Sequence, residues 1–556
     1  YYSVGNETYM NIRVATSADP AGPYFDSGKV LTSQQFAIDA HVFRDDDGQH
    51  YLFYATDFLE YSRIGTGTVV DRLVDPFTLE GDPRPVTRAK FDWQVYDPAR
   101  KEKGGVRWHT VEGPFVVKRK GIYYEMFSGG NWQNKTYGVS YATTDDLDMR
   151  NEWDQHCDGE KTLPILRTIS ADDNNTAVNG PGHNSVVMGP SNLEQFVVYH
   201  QWDTDVSNRV LSIDRLDWVG AEMLVLGPTT KLQEAPAMPA MSQADPSDQL
   251  IELDGPTAVI KAHIDFTNGG QFKLVILTPS EQLKIEGRGS AILIYMSDEL
   301  IDRTDMPLVL NGFRAEQVFT LDVRVNYSFV EISIEGQLVW SGTLPDDARQ
   351  LEIANTRSAI SHFELSFGWE DLFLNDDLEA IGWTESSGIE TAEVEDGCLL
   401  LSGNDEDHVL VKQVPSENYE LVVNAKLMDC DFEEASRAIA FGFYPALPDK
   451  HERLETYPLI AVKLVSPPDP KDANPQQLWT LQAISPQMRT MFTLPEGFDP
   501  SREHQFRFRK RGTELHIFLG KDEIGTLDVP ELSRYVGLYA GGCEAAFEMV
   551  RLVSYS

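Results

Sequence analysis

The sequence has few cysteines, and none of them is paired in a recognisable motif. Four occur among 556 residues. They are scattered, with no CxxC spacing, at Cys157, Cys398, Cys430 and Cys543. Neither a zinc site nor a disulfide framework is therefore indicated. Cys398 and Cys543 lie in strand-like contexts, which predicts buried thiols at both positions.

Basic residues are also scarce relative to acidic ones. The chain has 47 Lys and Arg against 87 Asp and Glu, which gives a formal net charge of −40. A chain this acidic would be repelled by a phosphate backbone and by an anionic membrane leaflet. We therefore expect no nucleic-acid partner and no membrane partner, and a neutral ligand suits the charge better. Homo-oligomerisation stays open.

Long apolar runs and helical periodicity are missing as well. No apolar stretch approaches the length of a membrane-spanning helix. Up to about residue 227, short β-branched and aromatic runs recur between Gly, Asp and Asn turns. Such spacing is typical of all-β folds. The predicted strands are residues 10–16, 42–43, 51–54, 66–73, 115–118, 122–127, 137–143, 185–188, 196–200 and 210–216.

A loose repeat indicates how these strands are organised. A strand, an acidic or basic Gly turn and an aromatic strand occur at residues 42–54 and 115–127, and again near residues 185–200. Each copy is a hairpin, and the copies follow one another at intervals of about 70 residues, with long loops between strands. We predict a five-bladed β-propeller over residues 1–235, because a propeller brings the first strand of every blade to one central funnel. The chain begins at Tyr1 as if within a strand, so we expect the N-terminal blade to be incomplete.

The rest of the chain predicts two tandem antiparallel β-sandwich (jelly-roll) domains. Residues 230–249 contain three prolines and read as a linker. Alternating patterns then predict strands at 259–264, 272–277, 291–295, 318–325, 329–334 and 337–340. The pattern of 329–340 returns at 514–524, and that of 359–365 returns at 544–552. We place the sandwiches at 236–368 and 369–556.

Three polar residues precede predicted strands in successive hairpins. Glu112 stands before Gly113 and Pro114, Asp39 lies just before the strand at 42–43, and His183 follows a Gly-Pro-Gly turn. In a propeller these positions converge on one pore. Two carboxylates in a polar funnel suit glycoside hydrolysis, in which one donates a proton to the leaving oxygen and the other is ionised. A neighbouring carboxylate raises the pKa of the acid by like-charge repulsion.

Several of these stretches resemble glycoside hydrolase family 43, a family of five-bladed propellers with inverting arabinofuranosidases, xylosidases, arabinanases and galactanases. The resemblance rests on residues 38–54, 111–124, 180–186, 198–202 and 209–216. It implies that Glu112 is the general acid and that Asp39 orients this acid and raises its pKa. It places His183 near the propeller axis, where a calcium ion or a water is expected. Arg209, Trp132 and His41 are the implied substrate-binding residues, with Arg209 contacting either Asp39 or the substrate.

The sequence departs from the family at one position. The general base of the family is an aspartate on the first blade, and no residue here matches it. Asp19 lies in a stretch that resembles the turn ending that blade, so we do not assign it as the base. Either the chain is cut before Tyr1 or the protein is a non-catalytic or unusual member, and we expect truncation.

The tandem sandwiches resemble the concanavalin-like domains that often follow this propeller. Trp340, Trp383 and Trp479 could serve as sugar-stacking platforms, but core packing is the better prediction for each.

The predicted function is an inverting exo-glycosidase on arabinose- or xylose-containing plant polysaccharides or oligosaccharides, foremost an α-L-arabinofuranosidase. A β-xylosidase or a galactanase of the same family is the alternative, and a non-catalytic carbohydrate-binding propeller is a further one. A β-fructosidase ranks lower, because its family usually carries Glu-Cys-Pro where this chain has Glu112-Gly-Pro. No cofactor is expected for the chemistry, although a structural Ca²⁺ is compatible with the resemblance. The sequence does not decide between a cytoplasmic and a secreted location.

Overall fold

The computed structural model of the protein describes residues 1–6, 8–156, 163–171, 176–309, 317–385, 392–402, 408–429, 438–447, 460–465, 479–485, 488–529, 533–541 and 543–555. These residues form strands almost throughout, so the predicted all-β class is confirmed. Cys543 is buried as predicted, whereas Cys398 is half-buried. Cys157 and Cys430 lie outside the described residues. Within the described part of the chain, no helix has the length and apolar character needed to span a membrane.

Four sheets are formed by the described residues between 2 and 225. The first contains β1 (Tyr2–Gly5), β2 (Met10–Thr16) and β3 (Phe25–Val30). The second contains β4 (Ala37–Arg44), β5 (His50–Phe58), β6 (Gly65–Asp75), β7 (Thr78–Leu79), β8 (Arg84–Thr87), β9 (Val95–Arg100) and β10 (Val106–His109). The third contains β11 (Val111–Arg119), β12 (Ile122–Gly129), β13 (Gly138–Thr144) and β14 (Asp154–Gln155). The fourth contains β15 (Asn179–Met188), β16 (Gln195–Trp202), β17 (Arg209–Val219) and β18 (Glu222–Val225). Two short 3₁₀ turns, Asp92–Gln94 and Lys101–Lys103, flank β9.

Successive sheets pack face to face, as the blades of a propeller do. Ile12 from the first sheet joins Leu52 and Val69 of the second in one buried cluster. Another cluster joins Phe53 of the second sheet to Phe127 of the third. Burying such side chains contributes about 1.5–3 kcal/mol each, which favours sheets stacked on both faces. The predicted count of five blades stays a prediction.

The hairpin of β11 and β12 shows why the sequence folds in this way. Arg119 pairs with Ile122, so Lys120 and Gly121 alone form the turn. Both have positive φ angles, +48° and +79°. A two-residue turn with two positive φ angles is of type I′, whose twist matches that of the strands. A turn between the strands predicted at 115–118 and 122–127 is therefore confirmed, and the first of these strands extends to Arg119.

The remaining strands build two sandwiches. The first contains β19 (Met241–Ala244), β20 (Gln249–Glu252), β21 (Thr257–Asp265), β22 (Gln271–Leu277), β23 (Gln282–Arg288), β24 (Ala291–Met296), β25 (Glu299–Asp305), β26 (Val318–Asn326), β27 (Phe329–Ile334), β28 (Gln337–Thr343), β29 (Gln350–Thr356) and β30 (Ile360–Ser366), with the short helix α1 (Met306–Val309). The second contains β31 (Gly368–Asp371), β32 (Thr384–Glu385), β33 (Ala392–Glu395), β34 (Cys398–Ser402), β35 (His408–Gln413), β36 (Tyr419–Asp429), β37 (Ala438–Tyr444), β38 (Ile460–Val465), β39 (Thr480–Ser485), β40 (Met488–Thr493), β41 (His504–Arg511), β42 (Glu514–Leu519), β43 (Asp522–Asp528), β44 (Tyr535–Gly541) and β45 (Glu544–Ser554).

The two sandwiches share one topology. One sheet of the first runs β30-β21-β26-β27-β28, and its counterpart in the second runs β45-β36-β41-β42-β43. The facing sheets run β29-β22-β23-β24-β25 and β44-β37-β38-β39-β40. The duplication predicted from residues 329–340 and 514–524 thus corresponds to β27-β28 and β42-β43. The linker predicted at residues 230–249 is in part a strand, because Met241–Ala244 pairs with β30 at the edge of its sheet.

By its contacts the chain divides into two compact units. The first consists of Tyr1–Val187, Gln195–Asp217 and Leu224–Glu234, and the second of Met188–Glu194, Trp218–Met223 and Ala235–Ser556. The predicted boundaries at residues 235 and 368 stay predictions.

Candidate active site

The candidate site residues lie on the first strands of three successive sheets, within backbone irregularities. Asp39 in β4, Gly113 in β11 and His183 in β15 have φ angles of +59°, +62° and +52°. The register shifts between Ile38 and His41 in β4, and between Glu112 and Phe115 in β11. A bulge of this kind bends the strand and redirects a side chain. The strands begin earlier than predicted, at Ala37 and Val111, so Asp39 and Glu112 lie inside them rather than before them.

The structure also corrects one prediction, because the three polar residues do not occupy equivalent positions in their strands. Asp39 and His183 occupy the positive-φ position itself, whereas in β11 this position is Gly113 and Glu112 precedes it. The Asp39 carboxylate accepts a hydrogen bond from the Gly113 N–H at 3.1 Å. A Cβ added to Gly113 would lie 3.3 Å from Nδ1 of His183. The three irregularities therefore bring Asp39, Glu112 and His183 into one region.

Glu112 is held by Tyr137, the residue that immediately precedes β13. Tyr137, which is 2% exposed, donates a hydrogen bond from its hydroxyl to Oε1 of Glu112 at 2.8 Å. Gly182 makes room for this ring, since a Cβ there would come within van der Waals overlap of its Cε1. The ring also stacks on His200, with centroids 5.6 Å apart. The orientation of the carboxyl group is thus fixed by a side chain that is itself fixed by packing.

The surroundings of Glu112 favour its protonated form. Burial, and next the charge of Asp39, raise its pKa from the usual 4.5 to about 8. The Tyr137 hydrogen bond and the positive charges of Arg100 and Arg209 act in the opposite direction. At pH 7 a carboxyl with pKa 8 is protonated in about nine molecules of ten, against about one in three hundred at pKa 4.5. Glu112 is therefore available as a proton donor near neutral pH.

Asp39 is the second carboxylate of the site. Burial raises its pKa, while the charge of His183 and the Gly113 hydrogen bond lower it. Its backbone N–H donates to Oγ of Ser3 at 3.3 Å. Its negative charge acts on Glu112, which is the electrostatic effect that the predicted role of a pKa modulator requires.

His183 does not carry an evident metal-ligand set. Its backbone N–H donates to Oγ of Ser128 at 2.7 Å, and its side chain is exposed. Among the residues that the structure describes, no three His, Cys, Asp or Glu side chains converge as metal ligands. Ca²⁺ usually takes about six to eight oxygen ligands, more than the described carboxylates near His183 provide. The calcium role of His183 stays a prediction.

Arg209 lies between two indole rings. Its guanidinium carbon is 5.0 Å from the centroid of Trp132 and 5.9 Å from that of Trp202. The indole N–H of Trp202 donates to the carbonyl oxygen of Trp132 at 2.8 Å, which joins the two rings. The described contacts of Arg209 are thus with Trp132 and Trp202. Its positive charge lowers the pKa of Glu112. No described hydrogen bond joins Arg209 to Asp39, which was one of its two predicted partners. Cation–π contacts of this kind contribute about 0.5–2 kcal/mol and restrict the guanidinium.

His41 packs between β4 and β11. Its ring centroid is 4.3 Å from that of Phe115, and it hydrogen-bonds the backbone of Val116. Burial lowers its pKa to about 4, so the ring is neutral. The described contacts are those of a packed side chain, and the substrate-binding role predicted for His41 stays a prediction.

The remaining candidates lie elsewhere. Asp19 is in an exposed turn where its carboxylate accepts the Ala21 N–H, in keeping with its rejection as a base. Trp340, Trp383 and Trp479 pack on the sandwich cores, as predicted.

Sequence reasoning missed how Tyr137, Ser128 and Trp202 act in the site. The hydroxyl of Tyr137 donates to Glu112, a contact that no local pattern around Tyr137 indicates. Ser128 is the cross-strand partner of Glu112 only because the register shifts between Glu112 and Phe115. Counting back from the Lys120-Gly121 turn without this bulge would have paired Glu112 with Gly129 instead. No sequence signal places Trp202 beside Trp132.

Comparison with known proteins identifies a family for the first part of the chain. The family model described as glycosyl hydrolases family 43 matches residues 1–222. The beta-D-galactofuranosidase xynD of Aspergillus niger is 32% identical over 228 residues, covering 39% of this chain and 54% of that protein. The extracellular exo-alpha-(1->5)-L-arabinofuranosidase of Streptomyces avermitilis is 23% identical over 195 residues, covering 34% of this chain and 36% of that protein.

Among solved structures, a thermostable family-43 glycoside hydrolase is 31% identical, with a TM-score of 0.36, covering 42% of this chain and 72% of that one. This chain thus spans about half of the first curated relative and about a third of the second. Through its residues 1–222, the chain belongs to glycosyl hydrolases family 43.

Proposed function

We propose that the protein is an exo-acting, inverting glycosidase that removes a terminal furanose, foremost an α-L-arabinofuranosidase. The observation that carries this proposal is the Glu112 carboxyl group, whose pKa is raised to about 8 by burial and by Asp39 while Tyr137 fixes its position. Glycoside hydrolysis needs such a group, because the leaving oxygen must receive a proton as the bond to the sugar carbon breaks.

The remaining residues take supporting roles in this mechanism. Glu112 protonates the glycosidic oxygen, and its carboxylate is then stabilised by Tyr137, Arg100 and Arg209, which all lower its pKa. Asp39 keeps Glu112 protonated between turnovers. Arg209, held between Trp132 and Trp202, offers donors to sugar hydroxyl groups. Inversion further requires a base that activates water on the opposite face of the sugar, and we assign no residue to that role.

A β-D-galactofuranosidase is the second candidate. The relative from Aspergillus niger carries that name, and the relative from Streptomyces avermitilis is named an arabinofuranosidase. β-D-Galactofuranose and α-L-arabinofuranose have the same configuration of ring hydroxyl groups and differ in the exocyclic chain. One furanose pocket can therefore accept either, and a pyranose such as xylose fits less well.

Release of 4-nitrophenol from three glycosides tests the proposal. We expect α-L-arabinofuranoside to react fastest, β-D-galactofuranoside next and β-D-xylopyranoside slowest. Proton NMR of the first-formed sugar should show the inverted anomer. Saturable binding of these glycosides without any release would contradict the proposal and would indicate a carbohydrate-binding propeller instead. Preferred release from the xyloside would overturn the furanose assignment.

A further inference from the structure

A cavity of about 250 Å³ lies where the first sandwich meets β31 and the segment that follows it. Arg324 and Phe329 line it from β26 and β27, and Glu331 lines it further along β27. Trp369 and Phe373 line the other side. One water occupies roughly 30 Å³ in the liquid, so the cavity is large enough for several waters or one small ligand.

The polar groups of this cavity have unused hydrogen-bonding capacity. Trp369 is 2% exposed and contributes ring surface rather than a donor, because its indole Nε1–H is fully buried among the described residues. Glu331 is half-buried, and none of the hydrogen bonds of the described residues reaches its carboxylate. Arg324, its cross-strand neighbour, donates to the carbonyl oxygen of Asn192 at 3.3 Å and has further N–H groups. Leaving buried polar groups unpaired costs about 1–3 kcal/mol each, so a ligand that pairs with them gains affinity.

The wall behind these groups is rigid. The Asp371 carboxylate accepts hydrogen bonds from Asn326 at 2.7 Å, Trp383 at 2.8 Å and Lys412 at 2.7 Å. The ammonium group of Lys412 also lies 4.1 Å from the centroid of Trp369. A wall held by so many bonds keeps Trp369 in one orientation.

The charges around the cavity balance. Arg324 opposes Glu331 across the strands, and Lys412 is paired with Asp371. Glu370, which also lines the cavity, is 3.8 Å from the guanidinium of Arg551. Of the described residues that line the cavity, three are acidic and Arg324 alone is basic, so an anion is repelled. Each carboxylate already lies near a basic group, so a cation gains little, and a neutral ligand suits the cavity best.

We propose that this cavity is a second carbohydrate site, which binds one neutral sugar ring and performs no chemistry. A sugar offers hydroxyl donors to Glu331 and hydroxyl acceptors to Arg324. Its C–H face is suited to the half-buried ring of Phe329. A purely apolar ligand would leave both polar groups unpaired. The site does not depend on the proposed glycosidase activity.

Amide hydrogen exchange of the full chain with D-xylose, L-arabinose and D-galactose tests this proposal. We expect at least one of these sugars to slow exchange at residues 372–375, saturably with sugar concentration. Glu331→Ala should weaken this local protection by about tenfold or more, because it removes a charged acceptor. Ser333→Ala is the matched control, since Ser333 lies on the same face of β27 outside the cavity, and should leave the protection unchanged.

The outcomes separate this site from the proposed activity. Absence of local protection with all three sugars, or protection unaffected by Glu331→Ala, would overturn the proposal. Both variants should hydrolyse 4-nitrophenyl glycosides at the wild-type rate. Local protection in a chain that releases no 4-nitrophenol would support the cavity site and contradict the proposed activity. Release of 4-nitrophenol without local protection would support the activity and contradict the cavity site.

Discussion

Two substitutions around Glu112 should move the alkaline limb of the pH profile in opposite directions. The limb reports the loss of the Glu112 proton, so in the wild type we expect kcat/KM to fall above a pH of about 8. Tyr137 stabilises the ionised carboxylate through its 2.8 Å hydrogen bond, whereas the charge of Asp39 destabilises it. Tyr137→Phe should therefore raise the pKa of Glu112, and Asp39→Asn should lower it.

The size of the first shift follows from the bond that is removed. A hydrogen bond to a charged group contributes about 1.5–3 kcal/mol, and one pKa unit corresponds to 1.36 kcal/mol. Tyr137→Phe should thus move the limb upward by about one to two pH units. For Asp39→Asn we predict the direction alone, a limb below that of the wild type.

The assay is kcat/KM for 4-nitrophenyl α-L-arabinofuranoside between pH 5 and 10, with folding monitored by circular dichroism at each pH. Tyr137→Phe keeps the ring that stacks on His200, so the packing should persist. Shifts of both variants in the same direction, or an unchanged limb in both, would refute the assignment of the limb to Glu112 and the electrostatic account with it.

Three further predictions concern stability and packing. Lys412→Met should lower the free energy of unfolding by about 3–5 kcal/mol in urea titrations, because it leaves the 3%-exposed Asp371 without its ion-pair partner; a loss below about 1 kcal/mol would contradict this. Burial raises the pKa of Glu125 from 4.5 to about 8, so the folded state holds its proton more tightly and stability should fall as pH rises through that window. Glu125→Gln should flatten this decline, by at most about 5 kcal/mol, and an unchanged pH dependence would be the contrary result. Gly182→Ala should displace the Tyr137 ring, costing about 1–3 kcal/mol and most of the activity, and wild-type melting with wild-type activity would rule out the contact.

Much of the fold follows from local sequence. Alternating β-branched and aromatic residues predicted nine of the sixteen described strands β1–β16, since side-chain direction alternates along a strand. The strands that were missed, β1, β3, β7–β10 and β14, have two to six residues each, too few for a clear alternation. The turn at Lys120 and Gly121 could be placed because a positive φ angle favours glycine. The duplicated sandwiches were visible because β27-β28 and β42-β43 repeat one pattern at equivalent places.

The site could be predicted only in part. Glu112, Asp39 and His183 were found because each follows or precedes a distinctive turn in consecutive hairpins. The bulges were not predicted, because a single extra residue leaves no mark on composition. They place Glu112 one residue before the positive-φ position, which Asp39 itself occupies in its own strand. Contacts between strands distant in sequence, such as Tyr137 with Glu112 or Trp202 with Trp132, depend on how sheets stack and have no local signal.

The most direct test of the central claim compares two buried glutamates of the third sheet. Glu112 and Glu125 both have a pKa raised to about 8, but Glu125 is bonded by Thr68 and Thr87 and not by Tyr137. Turnover of an unactivated arabinofuranoside, such as an arabino-oligosaccharide, is measured for Glu112→Gln and Glu125→Gln at pH 6. We predict a loss of about 10²–10⁴-fold for Glu112→Gln and a rate within about twofold of wild type for Glu125→Gln. Wild-type turnover by Glu112→Gln, or equal losses in both variants, would contradict the assignment of Glu112 as the proton donor.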